Sequence, residues 1–176
     1  FVGVKVFDDY SLEELAEYID WSPFFSTWEM SGTYPRIFES EKYGKEAKKL
    51  FEDAQALLKK VIAEKWITAK AVIGIFPAKS VNDSIVLDNG IHFDFMRQQT
   101  KKSGNQPNFC LADYVAPAND YFGAFAVTAG IGIEKWLEKF EKDHDDYNSI
   151  LLKALADRLA EAFAERMHQR VRKEFW

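Results

Sequence analysis

Apolar residues recur along this chain in two periods, one of two residues and one of three to four. The opening "FVGVKVF" alternates residue by residue, which predicts a strand already under way at Phe1. Ser11 followed by Glu14 is a capping-box arrangement, so "SLEELAEYI" predicts a short helix from Ser11 to about Ile19. Farther on, Ala47, Leu50, Phe51, Ala54, Leu57, Leu58 and Val61 follow three-and-four spacing, the mark of an amphipathic helix of about five turns. "AVIGIF" predicts a buried strand ended by Pro77, and "SIVLDNGIHFDF" predicts a hairpin turning at Asp88, Asn89 and Gly90. "FCLADYVAP" and "YFGAFAVTAG" are expected to be two further strands.

The chain becomes helical again in "IEKWLEKFEKD". Leu152, Leu155, Leu159, Phe163, Met167 and Val171 then draw one apolar stripe along a long final helix. The predicted elements make an α+β (mixed α/β) fold, a sheet flanked by helices with hairpin-type connections rather than a doubly wound parallel sheet. The final helix runs to Trp176 without the Gly or Asn that closes most helices. The chain is therefore expected to be a piece truncated at both ends, with its last turns frayed for want of a cap.

Composition narrows the function classes. With 176 residues, 47% hydrophobic and 15% aromatic, there is enough apolar material for the core of a single domain over residues 1–176. A formal charge of -5 argues against nucleic acid as a partner, because such a surface needs gathered Lys and Arg. No apolar run approaches the roughly 18 residues of a membrane span, so no membrane is expected. The lone Cys110 excludes an internal disulfide, fits a reducing, cytoplasmic setting and is expected to fill core.

Candidate chemistry is sparse. Gly-rich phosphate loops, zinc-type Cys pairs and a Gly-x-Ser-x-Gly turn are missing from the sequence. Asp157, Glu161, Glu165 and His168 share one side of the final helix, and Glu165-x-x-His168 has the ligand spacing of di-iron bundles. That reading needs a second copy, which the sequence lacks, so no metal is expected and the charges are read as a solvated face. His144, Asp145 and Asp146 precede a helix and match the positive end of its dipole. Asp20 stands among Trp21, Phe24, Phe25 and Trp28. It either caps backbone beside a hydrophobic cluster or lines a recess for a cationic ligand.

"YIDWSPFFSTWEMSGTYP", "MRQQTKKSGNQPNFCLADYVAP", "DYFGAFAVTAG" and "HDDYNSILLKALADRLAEAFAERMHQRVRKEFW" closely resemble, in this order, segments of the activation domain of cobalamin-dependent methionine synthase. The resemblance implies a C-shaped module with a twisted, mainly antiparallel sheet, and it implies binding of S-adenosylmethionine in support of reductive remethylation of cob(II)alamin. Asp20 and Glu161 match the family's acidic S-adenosylmethionine contacts. The family's Arg-x-x-x-Gly-Tyr motif is expected downstream of Trp176.

The resemblance also implies a division of labour. Cobalamin sits on a neighbouring domain of the parent methyltetrahydrofolate–homocysteine methyltransferase, zinc lies elsewhere in that parent, and a flavodoxin or methionine synthase reductase-type flavoprotein supplies the electron. No residue of this stretch is then catalytic by itself. Gln98, Gln99, Tyr114 and Tyr121 fall in matching segments and are read as structural. An alternative is a stand-alone activation-like binding module without methyl-transfer activity.

Overall fold

The computed structural model describes residues Phe1–Trp176. In chain order the elements are β1 (Gly3–Tyr10), α1 (Leu12–Ala16), α2 (Ser22–Thr27), a 3₁₀ helix at Arg36–Glu39, α3 (Gly44–Ala63), β2 (Thr68–Val81), β3 (Ser84–Leu87), β4 (His92–Asp94), a second 3₁₀ helix at Leu111–Tyr114, β5 (Asp120–Ile131), α4 (Glu134–Lys142) and α5 (Asp146–Arg170), which ends in a π-helical turn at Val171–Phe175. The fold is α+β. Its sheet has the order β1-β2-β3-β4, with β5 also paired to β2. No helix is long and apolar enough to cross a membrane.

The chain divides into two compact units, one of Phe1–Lys5 with Val72–Phe125 and one of Val6–Ala71 with Ala126–Trp176. The second is organised around α5, against which α1, α2, α3 and α4 all pack. The stripe foreseen on this helix is its core face: Leu152, Leu155, Leu159, Phe163 and Met167 are buried, joined by Leu151 and Ala162. Aromatic rings fill the space beside α2 and α3, with Trp21 edge-on to Phe51 at 4.9 Å and Phe25 edge-on to Phe38 at 5.9 Å. Ser11 caps α1 by accepting from the Glu14 N–H at 3.2 Å.

The last turn, expected to fray for want of a cap, carries side-chain contacts. Arg170 pairs with Glu174 at 2.6 Å and its guanidinium lies over the rings of Phe7, Tyr10 and Phe175. Arg166 donates to Glu14, which also accepts from the Tyr10 hydroxyl at 2.8 Å, so α1 and α5 are tied together one turn earlier.

The start of α3 depends on a glycine. A Cβ on Gly44 would stand 2.6 Å from the Phe38 carbonyl oxygen, a backbone atom that cannot swing aside. Helix propensity alone favours alanine over glycine by about 1 kcal/mol. Overpacking costs about 1–3 kcal/mol and outweighs it. Gly44→Ala is therefore expected to lower stability in a urea titration, against the propensity scale, and a stabilised variant would show that this contact relaxes freely.

In the other unit, two expectations need correction. Pro77 does not end the strand, because β2 continues through it to Val81 and pairs antiparallel with β3, Ala78 opposite Leu87 and Val81 opposite Ser84. The Pro77 carbonyl still accepts from the Asp88 N–H at 3.1 Å. "FCLADYVAP" is not a strand but holds the 3₁₀ helix, because the Asp113 carboxylate folds back to accept from the Cys110 N–H at 2.9 Å. The Asp88–Asn89–Gly90 hairpin forms as predicted, with Gly90 at φ 85° and Ile85 opposite Phe93 in the β3–β4 pair. Cys110 is buried among Ala78, Ile85, Leu87 and Ala112.

Arg97 is the polar centre of this unit. It forks onto both oxygens of Asp113 at 2.7 Å, reaches Asp83 at 2.6 Å and donates to the Asn108 carbonyl at 2.7 Å. The hydrogen bonds from Arg97, then that from the Cys110 N–H, bring the Asp113 carboxyl down to about 2 from the ordinary 3.8. A depressed carboxyl contributes stability that is whole above its unfolded value and is lost as pH falls through its folded one. Asp113→Asn is accordingly expected to flatten the stability–pH curve between about pH 4 and pH 2. An unchanged acid limb in denaturant titrations across that window would contradict it.

Candidate functional site

Asp20 lies in the turn between α1 and α2 with its neighbours Ile19 and Trp21 buried, while its own side chain is exposed. One oxygen accepts from the Ser22 N–H at 2.9 Å, an Asx turn that opens α2. The capping half of the earlier alternative is thus present. The aromatic residues beside it turn inward, and Phe24 and Phe25 are wholly buried against one another.

The stretch that carries Asp20 runs along α5 against its direction. At one end the Tyr18 hydroxyl donates to Gln169 at 2.9 Å, and at the other Trp28 meets the ring of Tyr147 at 5.3 Å. Between Tyr147 and Gln169 α5 rises about 33 Å, and Glu161 stands within that span as Asp20 stands between Tyr18 and Trp28. The Tyr147 hydroxyl is itself held by Asp53 at 2.8 Å; burial, with that carboxylate, pushes its phenol up to about 12. Both candidate carboxylates are exposed, Asp20 in the turn before α2 and Glu161 on α5.

Glu161 is not alone on its helix face. Arg158, one turn earlier, donates to both of its oxygens at 2.8 and 3.0 Å and to Asp157 at 2.6 Å. Burial opposes a charged guanidinium, but the hydrogen bonds that Arg158 donates to Asp157 and Glu161 outweigh it and leave the Arg158 pKa raised. The Asp157–Arg158–Glu161 group can offer hydrogen-bond acceptors and negative charge to a ligand. It contains no nucleophile.

The family model for the vitamin B12-dependent methionine synthase activation domain matches residues 11–176. The chain belongs to this family. A solved structure described as the crystal structure of the MetH reactivation domain bound to AdoHcy aligns with it at a TM-score of 0.94 and 48% identity. That alignment covers 99% of this chain and 57% of the solved one, so the chain spans little more than half of that structure's length.

The remaining candidates of this activation domain have structural surroundings. Glu165 and His168 are exposed on α5, and no three His, Cys, Asp or Glu side chains gather as a metal site. Asp145 caps α5 by accepting from the Asn148 N–H at 3.0 Å. Gln98 accepts from the Phe109 N–H and Gln99 donates to the Arg97 carbonyl, both local backbone contacts. The sequence reading passed over Arg158. Its only signal there is a positive charge at the i, i+4 spacing from Ala154 and Ala162, small apolar residues that mark a buried face.

Proposed function

We propose that residues 1–176 form the S-adenosylmethionine-binding reactivation module of a cobalamin-dependent methionine synthase, with Asp20 and Glu161 among its ligand contacts. The observation that carries this reading is the near-complete overlap of the chain with a reactivation domain bound to AdoHcy. The site chemistry agrees. S-adenosylmethionine presents an ammonium, a sulfonium and ribose hydroxyls, and exposed carboxylates fixed on a helix and an Asx turn are acceptors suited to each.

In this reading the module binds and orients the methyl donor. Cobalamin, held by a neighbouring domain of the same parent chain, supplies the methyl-accepting cobalt. A flavodoxin or methionine synthase reductase-type flavoprotein delivers the electron, zinc belongs to another part of the parent, and the setting is cytoplasmic. The residues present support binding without transfer, since none of them is an activated nucleophile.

Calorimetric titration of the intact protein with S-adenosylmethionine, and separately with S-adenosylhomocysteine, tests this. Saturable binding of both is expected. No heat of binding up to millimolar ligand, where the association free energy is only about 4 kcal/mol, would overturn the proposal.

A further inference from the structure

We infer that Arg158 is a positioning residue that fixes the Glu161 carboxylate for its ligand, a role that rests on Glu161 being a ligand contact. Arg158 is the one charged side chain buried in the chain, 7% exposed, whereas its partner Glu161 is 64% exposed. It lies on the core face of α5 with Leu155 and Ala162, buried residues three before it and four after. An exposed Arg–Glu pair is loosely held, because both long side chains keep their rotamer freedom. Here the guanidinium is anchored by packing, so the carboxylate it grips is anchored as well.

The grip is bidentate, one N–H to each Glu161 oxygen. A planar fork sets the orientation of a carboxylate as a lysine ammonium cannot. Each oxygen keeps a further lone pair, and with the inner side occupied by Arg158 those that remain face solvent. Asp157 takes the remaining reach of the same guanidinium, so two carboxylates share one cation and the group keeps a net negative charge. That is a prearranged acceptor for a cationic or hydroxyl donor, and it requires no ordering of Glu161 when the ligand arrives.

The test is S-adenosylhomocysteine affinity by calorimetry in the intact protein, with thermal melts alongside, for Glu161→Gln, Arg158→Met, Arg158→Lys and the Glu161→Gln/Arg158→Met double variant. Arg158→Met is expected to weaken binding about tenfold or more while the fold persists, because an apolar side chain of similar length replaces a buried charge well. Arg158→Lys should recover part of the loss. In the double variant the arginine change should add less than about twofold to the effect of Glu161→Gln, as coupled residues do. Wild-type affinity in Arg158→Met, or a full multiplicative loss in the double variant, overturns the positioning role while the Glu161 reading stands. Wild-type affinity in Glu161→Gln removes the reading and the proposal together. Should Arg158→Met fail to fold, the same cycle with Arg158→Lys decides: a loss that vanishes on Glu161→Gln supports the role, and no loss overturns it.

Discussion

Replacing Phe163 by alanine is expected to destabilise the protein by about 3–5 kcal/mol. Its ring is wholly buried at 0% exposure and packs on Tyr10 at a centroid distance of 4.6 Å. It stands in the second half of α5, the helix on which the other helices of its unit converge. Truncation therefore removes the transfer free energy of the ring and leaves a cavity that neighbours fixed by their own contacts cannot fill. Domains of this size are stable by only about 5–15 kcal/mol, so a large share of the total is at stake. The control is Ile150→Ala on the same helix, 46% exposed, which should stay within about 0.5 kcal/mol of wild type. Urea titrations of the two variants check the contrast, and a Phe163 variant as stable as the Ile150 one would mean that α5 is not the axis of this core.

Glu161→Gln should weaken S-adenosylmethionine binding by about 2–5 kcal/mol, the range for a charge pair from which a ligand has excluded water. Glutamine keeps the length of the side chain and one acceptor oxygen for Arg158, so the buried guanidinium retains partners and the helix has no reason to unravel. Asp20→Asn has the same logic, since asparagine can still accept from the Ser22 N–H and preserve the turn. Glu165→Gln, exposed on the same helix about one turn farther on, is the comparison. An exposed charge contributes only about 0.2–1 kcal/mol, so the two classes differ by well over tenfold in Kd. Calorimetry with matched melts separates them, and wild-type affinity in both Asp20→Asn and Glu161→Gln would return these residues to structural roles.

Short-range signals carried most of the secondary structure. The three-and-four spacing from Ala47 to Val61 and from Leu152 to Met167 became the buried faces of α3 and α5, because periodicity is set by helix geometry whatever packs against it. Asp88, Asn89 and Gly90 made their hairpin, because a turn answers to the φ its own residues tolerate. The family, too, was legible in order and wording of segments. Tertiary structure decided the rest. Whether "FCLADYV" extends or coils depends on Asp113 folding back to Cys110 while gripped by Arg97, a partner sixteen residues away that no window of alternation contains. Whether the last turn of α5 frays depends on rings from β1 that receive Arg170. Whether Glu161 is a loose surface charge or a fixed acceptor depends on the burial of Arg158. Spacing places these two residues on adjacent turns, but burial depends on the other helices that close over α5, and only the packed fold specifies that cover.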